Sequence, residues 1–406
     1  MKIINLKENL LVGIVIILVS CGGKKEGNMG SYAYDAQFLK DNGVEYIELV
    51  SSDGNSKVMI VPAWQGRVMT TSASGDDGDS YGWINHRFIQ EGKVSPQFNP
   101  VGGEERFWLG PEGGPFSLYF KQGQEQVYEN WIVPSVIDTE AFVIESQDSS
   151  NVRFVKDARL TNASGTVFDM NIERQVSLMG IEEVVTDFGL ELPQNVKMVA
   201  YRSDNKITNT GNTSWTKKSG LISIWMLGCF NPSPTTTVFI PYKRNVEGAI
   251  VNDEYFGKIP EDRLIKEDGI IYFKIDGKYR SKLGLPALRA TNLCGSYDSS
   301  KGVLTILWCS LPEVPSVYVN GQWGEQEEPY AGDVINSYND GPVEDGSIMG
   351  PFYEIETSSP GEELAPGASL VHIQKVIHIQ GKDKQLAPIV QKLFGADLDV
   401  IKAKFQ

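Results

Sequence analysis

The stretch Val101–Phe120, VGGEERFWLGPEGGPFSLYF, decides how the rest of the chain is read. It places two Gly pairs, three carboxylates, one Arg, one Trp and two Pro in a short span. Paired glycines let a backbone turn tightly or approach a ligand closely. An Arg between carboxylates and beside an aromatic suits a hydroxyl-rich ligand with one apolar face. The stretch therefore points to a carbohydrate site while leaving the reaction open.

Outward from it, between Tyr34 and Gln380, the dominant period is two. Ser56–Val61, Asn151–Val155, Thr166–Ile172, Ile270–Ile275, Val303–Trp308 and Val371–Ile379 read as strands, rich in Val, Ile, Phe and Tyr. Turn signals such as Asp53-Gly54, Asn209-Thr210-Gly211, Asp276-Gly277 and Asn320-Gly321 punctuate them. The content of 41 Gly and 20 Pro fits a loop-rich all-β chain. No repeat of propeller or solenoid period is visible. Beyond Gln380 the period changes: Leu386–Leu393 and Leu398–Phe405 carry apolar residues at helical spacing, separated by Gly395, with Asp397 as a cap. This predicts a short helical tail, residues 381–406, packed on the sandwich.

The N-terminus reads as a targeting segment. Lys2 and Lys7 precede the apolar run Leu10–Val19, which ends at Leu18-Val19-Ser20-Cys21. Residues 1–21 are expected to be a lipoprotein signal peptide whose lipobox leaves Cys21 as a lipidated N-terminus. Residues 22–33 are then a polar tether, and 34–380 the β domain. The expected location is extracytoplasmic, anchored to a bacterial membrane through the lipid alone. The net charge of −15 disfavours nucleic acid and anionic lipid as partners. Three cysteines follow Cys21, an odd count that argues against a disulfide framework; Cys229 and Cys309 lie in apolar runs and read as buried thiols.

Two stretches carry a family resemblance. Gly102–Gly114, GGEERFWLGPEGG, is similar to a GG-x-R-x-W-x-x-PE pattern of sugar-binding proteins. Phe352–Val376, FYEIETSSPGEELAPGASLVHIQKV, is similar to a strand bearing a catalytic Glu, an L-x-PG turn and a closing strand. With GRVMTTS at Gly66–Ser72 and ITNTG at Ile207–Gly211 in the matching order, the chain resembles the galactose-mutarotase-like (aldose 1-epimerase-like) superfamily. More closely, it resembles a branch found in secreted bacterial lipoproteins. The resemblance implies a β-supersandwich with a sugar site on the concave face of one sheet, and a Glu base paired with a His acid.

Glu356 matches the family's base. Glu354, two residues earlier, projects from the same strand face, and two close carboxylates push one of the pair toward neutral pH. The family's mid-chain His has no counterpart here. Of His86, His372 and His378, only His86, in YGWINHRF ahead of the GG-x-R motif, is a candidate for the site. The remaining acid candidates are a Tyr, a Lys or the second Glu.

For substrate binding the candidates are Glu105, Arg106, Trp108 and Glu112 from the first motif. Arg280 and Lys282 suit a carboxylated or phosphorylated sugar. Trp323, Asn339 and Asp340 complete the set, with Trp131 as a further stacking ring. No metal site is read. Asp76-Asp77-Gly78-Asp79 lacks the EF-hand spacing, and Glu104, Glu105 and Glu112 would hold Ca2+ only if they converge. No cofactor is expected.

The reading is a carbohydrate-active lipoprotein, an aldose 1-epimerase-like isomerase of a free sugar or sugar acid. Its alternatives are a non-catalytic glycan-binding lipoprotein, or a hydrolase or lyase on the same sheet.

Overall fold

The computed structural model describes residues 28–406, so the signal segment and Cys21 lie outside the described residues. Its frame is two stacked antiparallel sheets. The larger has ten strands in the order Leu264–Glu267, Ile270–Lys274, Thr236–Pro241, Leu293–Asp298, Val303–Cys309, Ser369–Gln380, Lys197–Asn209, Val167–Leu178, Asn151–Thr161 and Val143–Gln147. The smaller has five: Ser281–Pro286, Asp333–Asn339, Tyr353–Ser358, Ser223–Phe230 and Arg106–Gly110. A three-stranded sheet of Ile47–Val50, Lys57–Val61 and Arg67–Ser72 stands beside them.

Alternation builds the sandwich. In the five-stranded sheet Leu283, Leu285, Ile335, Ile355, Ile224, Met226, Phe107 and Leu109 are all buried in the main core. There they meet Val152, Phe154, Ile172, Val199, Ile207 and Val376 of the ten-stranded sheet. Burying such side chains is worth about 1.5–3 kcal/mol each, so the register of each strand is strongly held. The residues between them form the second face of the small sheet, which carries the site.

The ten-stranded sheet is covered on its other side as well. Helices Asp383–Phe394 and Leu398–Ala403 set Leu386, Ile389, Val390, Phe394, Leu398 and Ile401 against Ala200, Phe239, Leu304, Ile306, Ile377 and Ile379. Gly395 ends the first helix in the left-handed region, and the Asp397 side chain accepts from Asp399 N at the start of the second. The all-β fold with a short helical tail, expected from the sequence, is the one observed.

The beginning of the domain differs from the expectation. Ser31 bridges to Asp79 and caps a helix at Tyr32–Asp41, so the polar tether expected through residue 33 gives way earlier. Tyr32 and Leu39 are fully buried with Met59, Val61, Met69, Ile84 and Ile89 in a satellite core. Among the described residues no helix is long and apolar enough to cross a membrane.

Candidate functional site

Cross-strand partners share a face, so register alone assembles the site. Glu356 lies opposite Asn336 on one side and Leu227 on the other; Glu354 lies opposite Tyr338 and Cys229. One strand further out, Lys282 is opposite Tyr338, Arg106 opposite Leu227 and Trp108 opposite Trp225. Glu354, Glu356, Arg106, Lys282, Trp225, Asn336 and Tyr338 therefore occupy one polar face, away from the core.

Glu356 is fully buried. Its Oε2 accepts from the Trp225 indole Nε1 and from Lys282 Nζ, each at 2.9 Å, while Oε1 has no partner. A buried oxygen left unmatched costs about 1–3 kcal/mol, which marks Oε1 as an acceptor available to a ligand. Lys282 Nζ also lies 5.0 Å from the Trp225 ring and 5.4 Å from the Tyr255 ring. Burial alone would lower its pKa, but the charges of Glu356, Glu112 and Glu354 outweigh this and hold it above the ordinary value.

Glu354 has different surroundings. Arg106 Nη2 donates to its Oε1 at 3.1 Å and the Cys229 thiol donates to the same oxygen at 3.2 Å. Burial pushes Glu354 up to about 7, with Arg106 opposing and the charge of Glu356 adding. Burial also holds the Cys229 thiol well above its ordinary value, so it serves as a donor. The Arg106 guanidinium sits 4.1 Å over Trp108, a buried ring.

Beside Trp225, Lys282 and Asn336 lies a cavity of about 40 Å³, walled also by Glu112, Tyr255, Asp333 and Gly321. Tyr255 donates to Asp333 Oδ2 at 2.6 Å. Burial pushes Asp333 up to about 6, opposed by that hydroxyl, and raises Glu112, opposed by Lys282. Gly284 is required here: a Cβ on it would stand 1.9 Å from Asp333 Oδ2. The cavity has room for water rather than a hexose, so a larger ligand would require its walls to part.

Gly102 and Gly103 both have positive φ, and a Cβ would meet the Trp83 carbonyl at 2.3 Å or Arg67 Cδ at 2.6 Å. The Gly pair thus turns the chain sharply into the strand that carries Arg106.

Four expected site residues are placed elsewhere. Glu105, next to Arg106 in a strand, points to the opposite side. It is fully buried, bound by Arg174 Nη2 at 2.6 Å, Gln374 Nε2 at 2.6 Å and Ser203 Oγ at 2.9 Å, so it ties the sheets together and is not open to substrate. His86 opens the helix His86–Glu91 behind the Asn85 cap. Its Nε2 lies 2.7 Å from Asp35 Oδ1 and its ring packs on Phe38, so it does not serve the Glu pair. Asn339 accepts from Gly277 N and donates to Tyr279 O, both at 2.9 Å, and Asp340 accepts from Gly350 N at 2.7 Å. Asn339 thus holds the hairpin that leads to Lys282, and Asp340 the loop that leads into Tyr353–Ser358.

Arg280 is exposed over Phe256 at 4.0 Å and reaches the Tyr338 hydroxyl at 3.3 Å. Trp323 is 38% exposed and stacks with Trp131 at 6.2 Å, near Glu112. Glu104 turns inward to His378 Nε2 at 2.9 Å, so Glu104, Glu105 and Glu112 do not converge. Among the described residues no cluster of metal-ligating side chains is present. Trp225, Tyr255, Asp333 and Cys229 escaped the sequence reading as site residues. The available signal was the alternation of Trp225, Leu227 and Cys229 beside the Glu strand.

A family model described as "Family of unknown function (DUF6786)" matches residues 30–405. The chain belongs to this family. No curated protein matches the sequence. Among solved structures, the Slr1438 protein from Synechocystis is similar in fold, with a TM-score of 0.51 at 12% identity over 83% of this chain and 96% of that one. A galactose mutarotase-like protein from Lactobacillus casei gives 0.47 at 13% identity, over 82% and 100%. A galactose mutarotase related enzyme from Lactobacillus acidophilus gives 0.43 at 9% identity, over 83% and 97%. At 12% identity the likeness to the Synechocystis protein is one of fold.

Proposed function

We propose that this family member is an aldose 1-epimerase-like isomerase working on the polar face of the five-stranded sheet. The carrying observation is the unequal carboxylate pair: Glu356 ion-paired with Lys282 and with one oxygen free, and Glu354 pushed up to about 7. Two carboxyl groups with opposed surroundings suit the roles of base and acid. Glu356 Oε1 takes the proton of the anomeric hydroxyl. Protonated Glu354 gives its proton to the ring oxygen as the C1–O bond breaks. Rotation about the opened C1–C2 bond and the reverse transfers close the other anomer. Lys282 and Trp225 orient the base, and Arg106 and Cys229 orient the acid.

The substrate is a neutral aldose rather than a sugar acid. Lys282 and Arg106 are already committed to Glu356 and Glu354, and Glu112 and Asp333 add acidic groups to the same region. Lys282 is the one cation lining the cavity and it is committed to Glu356, so an anionic sugar there would face these carboxyls. The lipobox read in the sequence at Leu18–Cys21 supports a location outside the cytoplasm on a lipid anchor.

A second reading, a glycan-binding protein without turnover, draws on the absence of an imidazole beside the pair. His86, His372 and His378 are engaged with Asp35, Thr357 and Glu104. Magnetisation-exchange NMR on the α and β anomers of neutral aldoses and uronic acids separates the two. Isomerisation appears as accelerated exchange for a neutral aldose, reduced to the uncatalysed rate by Glu356→Gln. Line broadening without exchange for any sugar selects the binding protein.

A further inference from the structure

Next to the cavity the surface carries an aromatic strip that the proposed chemistry does not use. Tyr128 stacks on Trp131 at 6.1 Å and 19°, and Trp131 on Trp323 at 6.2 Å and 27°. Tyr128 is 59% exposed and Trp323 38%. Trp131 between them is buried. A contiguous exposed aromatic patch, unlike a lone exposed ring, marks an interaction site. The strip joins the cavity at Glu112, which lines it and lies near the indoles of Trp323 and Trp131.

Phe120, edge-on to Trp323 at 5.1 Å, and Ile132, beside Trp131, carry the surface on into an open groove of about 390 Å³. The groove runs between the segment Leu118–Val136 and the strand Asn151–Thr161. Its lining mixes an exposed apolar side chain, Ile132, with Asn130, Gln122, Asp157 and Arg159. That mixture, ring faces for C–H surfaces and amides and charges for hydroxyls, is the chemistry of a sugar chain. A lipid would want a continuous apolar patch.

Resting on the reading of the cavity as a sugar site, we propose that the strip and groove bind the further residues of an oligosaccharide whose reducing end enters at Glu356. The natural substrate is then a glycan chain, and the free monosaccharide is its minimal fragment.

Titration calorimetry on the signal-less protein tests this, using cello-, xylo-, malto- and chitohexaose against their monosaccharides. At least one hexasaccharide should bind ten-fold or more tightly than its monosaccharide. Tyr128→Ala and Ile132→Ser, exposed changes outside the cavity, should erase most of that advantage and leave monosaccharide affinity within two-fold. Monosaccharide binding with no hexasaccharide advantage, or an advantage untouched by both variants, overturns the extended site and leaves the cavity reading standing. Absence of binding by every sugar overturns both.

Discussion

Glu354 and Glu356 stand two residues apart on one strand, and their neighbours set them different tasks. Raised by burial from an ordinary 4.5 to about 7, Glu354 keeps its proton in the folded protein over that interval. Its contribution to stability is therefore full below about 4.5 and lost as pH rises through about 7. Its action as an acid fails over the same alkaline limb. The pH profile of anomer exchange should fall above about 7, and Glu354→Gln should remove that limb along with most of the rate; an unchanged profile would dissociate Glu354 from the chemistry. Glu105 predicts the reverse pattern. Its removal strands Arg174, whose guanidinium is fully buried. Glu105→Ala should cost about 3–5 kcal/mol in urea unfolding while any stably folded fraction keeps its sugar affinity. At this scale Glu354 and Glu356 were legible as a same-face pair. Glu105 was misread because composition groups it with Arg106 whereas the strand's period of two separates them.

At the scale of elements, alternation announced Val303–Cys309 and Ser369–Gln380 to within their ends, but it reached only the first half of Asn151–Thr161 and only the end of Lys197–Asn209. The tail helices were legible from apolar spacing and the Asp397 cap. Leu386 is fully buried beneath them, so Leu386→Ala should destabilise the fold by about 2–5 kcal/mol, read as a lowered thermal midpoint. A change within experimental error would mean that the tail does not pack on the sheet. The helix Tyr32–Asp41 was not legible. Its fully buried contacts are confined to Tyr32 and Leu39, and its polar residues Asp35, Gln37, Lys40 and Asp41 blur the stripe that marks a packed helix. Nor did sequence show that Tyr255, from a segment without regular structure, is brought over Lys282. Such long-range placement follows from how the loops drape over the sheet.

Across the whole molecule, the two sheets enclose polar groups as well as apolar ones. His372 is fully buried, bonded through Nε2 to Thr357 Oγ1 at 2.8 Å, and burial lowers it from an ordinary 6.5 to about 3. Its neutral form belongs to the folded state, so the stability it contributes is present above about 6.5 and declines as pH falls toward about 3. Substituting His372 by Gln should flatten that acid decline in denaturation midpoints measured between those values. The stacked sheets also explain why a polar site arises here. Alternation makes one face of the small sheet core and leaves the other free to collect Lys282, Arg106 and the carboxylates. On the proposal that this face interconverts anomers through Glu356, the anomer exchange rate of one neutral aldose is the decisive measurement, made side by side for the unmodified protein, Glu356→Gln and Lys282→Met. Accelerated exchange is expected in the first, the uncatalysed rate in the second and a strongly reduced rate in the third. Full acceleration in Glu356→Gln would contradict the proposal.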